Sequence, residues 1–366
     1  MVTPRYLPEI GGVERHVHEV ATRIAAAADT AVTVLTTDPR AALPALERDG
    51  QLEVRRVPAY PRGHDWLFAP GIVPAVAGGD WDVVHIQSYH TFVAPLAMAT
   101  AARWRIPYVL TFHGGGHSAA LRNRARTAQR ALLRPLLARS AALVAVAQFE
   151  IEEYSAELRI PPSHFTLIPN GVDLPAVPQG GGHGRESAAG HPLIASVGRL
   201  ERYKGHQRVI AAFAHVHAAQ PGARLWIAGS GPYEPQLRSL TADLGIADAV
   251  EISTVDAGDR AEMARRLSQV DLVVLLSDFE THPIAALEAI SLERPLLVGS
   301  GSGLGELAAR GLARAIDPDS APELVAEAIV RELRDPLARP PVALPTWDQC
   351  AAGLLELYRS VAGSSR

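Results

Sequence analysis

The sequence predicts an α/β protein of two tandem doubly wound domains. Short runs rich in Val, Ile and Leu each precede a helical pattern, and this alternation breaks once, in a stretch of Pro, Gly and small polar residues, before restarting. Strands alternating with helices make a parallel sheet covered on both faces. The length of 366 residues also suits two domains better than one.

In order, the predicted strands of the first half are "AVTVLTT" (31–37), "WDVVHIQ" (81–87), "PYVLTFH" (107–113) and "AALVAVA" (141–147). Ahead of them "MVTPRYLPEIGGVERHV" leaves only Val2 and Thr3 before Pro4, so the first strand is either unusually short or begins upstream. A helix is predicted from about Val13 to Ala27. After "FTLIPNGVD" (165–173) the segment "LPAVPQGGGHGRESAAGHP" has no apolar periodicity and reads as a linker. Beyond it come "PLIASVG" (192–198), "ARLWIAG" (223–229), "DLVVLL" (271–276) and "RPLLVG" (294–299). The expected division is residues 1–173, a linker at 174–191, and a second domain at 192–345. The closing "TWDQCAAGLLELYRSVA" (346–362) is an amphipathic helix able to pack on either domain.

Hydrophobic residues make up 48% of the chain, enough for large cores, and the net charge of -4 gives no global reason for nucleic-acid binding. Phosphate chemistry must then be local. A single cysteine, Cys350, excludes an internal disulfide and fits a reducing compartment. The opening residues lack a basic segment followed by an apolar run, and no apolar run is long enough to span a bilayer, so a cytoplasmic protein is expected.

Several loops carry chemistry. Gly11-Gly12 precedes the first helix, where backbone N–H groups could approach an anion or a sugar; the bland alternative is a tight turn. "VGRLERYKG" sets Arg199 and Lys204 at a strand's C-terminal edge, where doubly wound sheets bind ligands. A guanidinium fork and an ammonium suit a diphosphate, although two solvated loop cations would read the same. "AGSGPYEP" places Glu234 where a dinucleotide fingerprint has its third glycine, which disfavours a nicotinamide enzyme. His113 ends a strand in "TFHGGGH"; its i, i+4 spacing to His117 could serve a metal on a helix, but three intervening glycines argue against one, and contact with a ligand hydroxyl is the favoured reading. Arg122, Arg124, Arg126, Arg130, Arg134 and Arg139 form a basic helix that could meet anionic lipid at a membrane face, a solvated face being favoured. Finally, "SDFETHPIAALEA" holds two carboxylates that Pro283 separates, with Glu280 on a loop and Glu288 on the following helix, whose N-terminus offers positive potential.

Taken together, "GGVERHV", "TFHG", "IPNGVD", "GRLERYKG", "AGSGP" and the pair Glu280/Glu288 occur in the order found in glycosyltransferase family 4, which the chain resembles over nearly its whole length. The resemblance implies a GT-B fold, two Rossmann-like domains facing an interdomain cleft. It also implies a retaining glycosyltransferase using a nucleoside-diphosphate sugar (UDP- or GDP-linked) as co-substrate and a hydroxyl acceptor, with no metal and no other cofactor. By the same resemblance the catalytic set is His113, Glu280, Arg199 and Lys204, and the donor-binding set is Gly12, Arg199, Lys204, Gly231, Glu280, Pro283, Ile284 and Glu288. Arg199 and Lys204 would hold the diphosphate, Glu288 the ribose, Glu280 the sugar hydroxyls, and His113 would meet the sugar from the first domain. Asn170 and Gly171 would mark the crossing between domains, and Trp347 and Tyr358 the helix returning to the first.

Departures stand beside these matches. Thr281, His282 and Pro283 occupy the place of a glycine-rich turn, so one N–H donor is missing at Pro283. Gln87 replaces a common histidine in "HIQSYH", and "EISTVDAGD" lacks the usual glycine of the base-binding loop. A sugar-nucleotide epimerase of the same fold and a non-catalytic sugar-nucleotide binder are the alternatives, the joint presence of Arg199, Lys204, Glu280, Glu288 and His113 favouring catalysis.

Overall fold

A computed structural model describes residues 1–9, 11–27, 29–61, 67–114, 120–175, 191–256 and 258–363, those at 120–127 through their backbone only. The chain divides into two compact units: Met1–Gly114, Leu121–Gly171 and the chain from Pro345 onward form one, and Val172–Leu344 belongs to the other.

In the first unit, helix α1 (Gly12–Ala26) precedes β1 (Val32–Asp38), β2 (Leu46–Asp49) and β3 (Leu52–Pro58). Then follow α2 (Ile72–Ala77), β4 (Val84–Gln87), α3 (Val93–Trp104), β5 (Tyr108–Thr111), α4 (Ala120–Leu137), β6 (Ala142–Ala145), α5 (Gln148–Leu158) and β7 (Phe165–Leu167). β3 pairs in parallel with β1 and antiparallel with β2, while β4 to β7 run parallel in order. The expected short first strand is a single bridged residue. Val2 joins Leu35 and Ile86 in parallel register, with Val2 N donating to His85 O at 2.7 Å and Gln87 N to Val2 O at 2.8 Å. Pro4 has no N–H with which to extend the ladder. With Val2 counted first, the order is that of a doubly wound sheet, whose direction of winding switches between Val2 and β4.

Every residue of β4, β5 and β6 is buried, as a sheet covered on both faces requires. His85 and Gln87 lie within that core, so their polar atoms need partners inside the protein. The closing helix α12 (Trp347–Gly363) belongs to this unit and packs against α1, burying Trp347, Cys350 and Leu354. Its approach explains Gly171: a Cβ there would stand 2.2 Å from the Trp347 backbone nitrogen.

The second unit contains β8 (Leu193–Val197), α6 (His206–Ala219), β9 (Arg224–Ala228), α7 (Glu234–Asp243), β10 (Val250–Ser253), α8 (Arg260–Ser268), β11 (Leu272–Leu275), α9 (Ile284–Ser291), β12 (Leu296–Gly299), α10 (Ser302–Ala309), β13 (Arg314–Ile316) and α11 (Pro322–Arg334). Its strands lie in the order β10-β9-β8-β11-β12-β13, all parallel. Phe213, Leu237 and Ile329 fill one face, and Trp226, Leu287 and Leu304 the other. The winding reverses between β8 and β11, which makes their C-terminal ends the crevice of this sheet.

Replacing Gly171 by alanine should force α12 away from its seat. Overpacking of this kind costs about 1–3 kcal/mol, read as a lowered urea midpoint together with faster proteolysis near Trp347; an unchanged midpoint would show that the backbones can part freely.

Candidate active site

Leaving β8, the chain turns through Gly198 and Arg199 and enters a 3-10 turn at Arg202–Lys204 before α6 begins. His206 anchors this turn. Its Nε2 lies 3.2 Å from Arg199 O and its Nδ1 3.0 Å from Ser196 Oγ, so Nε2–H donates to the carbonyl while Nδ1 accepts from the hydroxyl. Burial pushes the His206 pKa down to about 4, which keeps the ring neutral. Arg199 Nη2 donates to the hydroxyl of buried Tyr203 at 3.0 Å.

The β11–α9 loop meets that turn from the other side of the switch point. Lys204 Nζ donates to Glu280 Oε1 at 2.5 Å, and Ser277 Oγ donates to the same oxygen at 3.0 Å. Glu280 N donates to Ser302 Oγ at 2.9 Å, and Gly303 N donates to Glu280 O at 2.8 Å. Arg208 adds a bond to Asp278 at 2.5 Å, and Asp278 N donates to Tyr203 O at 2.8 Å. Lys204 and Glu280 are therefore held by both loops before any ligand arrives.

Pro283 takes the N-cap position of α9, just outside the first turn in which the sequence places it. The first intrahelical bond runs from Ala286 N to Pro283 O at 3.0 Å, so Ile284 and Ala285 contribute the opening amides of the helix. Glu288 is buried one turn further on, where Arg260 Nη2 at the start of α8 donates to Oε1. Gly231 has a packing role that its expected place in a nucleotide pocket did not reveal. Its φ is +159°, and a Cβ would lie 2.5 Å from Leu200 O, so the glycine turn after β9 is pressed against the Arg199 turn. His282 is half-buried, and desolvation brings its pKa down to about 4.

In the first unit Gly12 opens α1 with no atom within 4 Å of where a Cβ would be, leaving its backbone approachable. His113 follows β5 in the left-handed region, φ +43°, a conformation that costs a non-glycine residue roughly 1–3 kcal/mol and that clusters at functional sites. Its Nε2 lies 2.7 Å from Gln87 Oε1, and its ring stands edge-on to His16 at 4.5 Å between centroids. Burial, reinforced by His16, His85 and His90, drives the His113 pKa well below the ordinary value. Wholly buried Glu150 accepts from Gly114 N at 3.2 Å and Val146 N at 2.9 Å, pinning the residue after His113; burial raises its pKa to about 7. Asn170 is held to His16 at 2.8 Å rather than merely marking a crossing.

The basic helix is partly accounted for. Arg130 pairs with Glu157 at 2.8 Å, and Arg134 donates to the carbonyls of Leu158 and Arg159, so both tie α4 to α5. The side chains of Arg122, Arg124 and Arg126, and all of His117, lie outside the described residues. Among the described residues, no helix is long and apolar enough to cross a membrane, and no group of three His, Cys, Asp or Glu is placed to hold a metal.

The model of Glycosyltransferase Family 4 matches residues 10–175, and that of Glycosyl transferases group 1 matches residues 185–341. A glycogen synthase of Mycobacterium tuberculosis is 30% identical over 338 residues, spanning 85% of this chain and 80% of its own. The chain belongs to glycosyltransferase family 4. A D-inositol 3-phosphate glycosyltransferase of Nocardiopsis dassonvillei is 27% identical over 389 residues, covering 96% of this chain and 90% of that one. Among solved structures, the sucrose-phosphate synthase of Thermosynechococcus elongatus superposes with a TM-score of 0.79 at 18% identity over 99% of both chains. Anabaena HepE, solved in complex with UDP-glucose, gives 0.69 at 15% identity over 100% of this chain and 97% of its own. These likenesses fix the fold of this glycosyltransferase as GT-B.

Sequence reasoning missed His16, Glu150, His206 and Arg260. His16 sits one turn beyond Gly12 on the buried face of α1, a spacing that could have marked it. His206 turns back on Ser196 and Arg199 of its own turn, while the bonds of Glu150 to Gly114 and of Arg260 to Glu288 join segments that only the fold brings close.

His206 also sets a pH dependence in this glycosyltransferase. Its pKa is about 4 folded against 6.5 for the free side chain, so between those values the unfolded chain binds the extra proton. The contribution is fully present above pH 6.5 and is lost as pH falls toward 4, up to about 3 kcal/mol. Urea unfolding of wild type and His206→Gln at pH 4 to 7 should give a shallower decline in the variant; parallel curves would refute the assignment.

Proposed function

We propose that this glycosyltransferase uses a nucleoside-diphosphate sugar and transfers the hexosyl group to a hydroxyl acceptor with retention. The observation that carries the reading is the gathering of Arg199, Lys204, Glu280 and the opening amides of α9 at the switch point of one parallel sheet. The bond from sugar to phosphate lengthens through an oxocarbenium-like state while charge collects on the leaving diphosphate. Arg199 and Lys204 meet that charge as fixed donors, the form of electrostatic help that ordinarily contributes most.

Lys204 has three N–H donors and gives one to Glu280, so it can keep that bond while taking phosphate oxygens. Glu280 keeps an oxygen for sugar hydroxyls. Glu288, held by Arg260, accepts from the ribose. His113 is assigned to a sugar hydroxyl. In this reading protein cations carry the leaving charge, and no metal is required. The UDP-glucose complex of Anabaena HepE fits the donor class.

A panel of UDP- and GDP-sugars tests the reading through calorimetric binding and slow hydrolysis, with the released anomer read by NMR. At least one donor should bind and be hydrolysed with retained configuration; no binding and no hydrolysis across the panel would sink it. Glu288→Ala should weaken nucleotide binding about tenfold, the loss of a charge-assisted bond, with a smaller effect on turnover. Glu280→Ala should lower turnover roughly 10²-fold or more with binding changed little, and equal losses of binding in both would contradict the separate roles.

A further inference from the structure

We propose that Gln87 sets the tautomer of His113, holding Nε2 protonated so that Nδ1 is the ring's only lone-pair acceptor. Three buried side chains in a row carry the argument. His85 is hydrogen-bonded at both nitrogens, Nε2 to Thr111 Oγ1 at 2.7 Å and Nδ1 to the Tyr358 hydroxyl. The Gln87 amide nitrogen lies 3.2 Å from one ring nitrogen of His85 and 3.3 Å from the other. An in-plane approach equidistant from both would run into Cε1–H, so the amide sits over the ring face.

That face is the negative side of the ring's quadrupole, and it attracts an N–H and repels a carbonyl oxygen. His85 thereby orients the amide, with NH₂ toward itself and Oε1 toward His113. The contact from Oε1 to His113 Nε2 is 2.7 Å, and a carbonyl oxygen can only accept. His113 Nε2 must then carry the proton. Burial keeps His113 neutral, so the second nitrogen keeps its lone pair. A histidine at position 87 could donate, accept or titrate, whereas glutamine has no proton to lose and fixes one state. Gln87 is thus a positioning residue, coupled through His85 to Tyr358 on α12.

The use of that lone pair to accept from a donor-sugar hydroxyl rests on the function proposed above, and the tautomer itself does not. Histidine-selective ¹⁵N labelling, with the His113 signals assigned by their loss in His113→Gln, reads the tautomer directly. Wild type should show a protonated Nε2 and an unprotonated Nδ1. Gln87→Met, which can neither accept in plane nor orient the ring, should give a mixture or the opposite tautomer. A protonated Nδ1 in wild type, or an unchanged spectrum in Gln87→Met, overturns the proposal. If Gln87→Met does not fold, the wild-type spectrum decides it, since a protonated Nδ1 there leaves Oε1 without the donor the proposal requires. With a hydrolysed donor in hand, Gln87→Met should lose about tenfold or more in turnover, the worth of one oriented hydrogen bond, with nucleotide affinity within twofold. Absence of any donor binding would leave the spectra intact and fail only the functional reading.

Discussion

The bond between Lys204 and Glu280 is the contact on which the second unit's site depends. Withdrawing an ammonium and a carboxylate from water costs more than their attraction returns unless further hydrogen bonds complete the geometry. Ser277 supplies one to the carboxylate, while Ser302 and Gly303 hold the Glu280 backbone. Through this pair the turn after β8 and the loop after β11 become one frame across the switch point. Donors fixed in such a frame need no reorganisation when charge develops beside them.

Close backbone packing makes that frame stiff. Gly231 lets the turn after β9 lie on the Leu200 backbone, and a Cβ at Gly205 would stand 1.9 Å from Leu276 O. His206 completes the arrangement by joining Arg199 O to Ser196 on β8. The Arg199 carbonyl is thus held by His206, and its guanidinium by the hydroxyl of Tyr203. Pro283 removes one amide from the α9 entrance, but the extended backbone it favours as N-cap still leaves Ile284 and Ala285 to open the helix.

The sequence made the alternation of strands and helices, the tandem arrangement and the motif loops readable, because apolar runs and glycine turns are local signals. It did not reveal β2 and β3. β3 alternates buried and exposed positions and carries Arg55 and Arg56, so it lacks the continuous apolar run of an interior strand. β13 has three residues, none of them fully buried, and escaped for a similar reason. Arg199, Lys204, Glu280 and Glu288 were legible as residues, yet their pairing was not: Lys204 and Glu280 are 76 positions apart, and Arg260 and Glu288 are 28 apart. Gln87 stood out only as an irregularity of its motif, and its meaning came from the two histidines that the sheet places on either side.

Buried polarity is answered in two ways, by ion pairs and by neutral hydrogen-bonded histidines. In the second unit Lys204 meets Glu280 and Arg260 meets Glu288, giving fixed full charges. His206 is desolvated and neutral, and so in the first unit are His16, His85 and His113, which are joined through Asn170, Gln87, Thr111 and Tyr358 rather than through ions. A neutral imidazole offers one donor and one acceptor at chosen atoms without adding charge. The left-handed backbone of His113 and the carboxyl of Glu150 beneath Gly114 fix that arrangement, because an uncharged hydrogen bond has a direction only when its atoms are held in place.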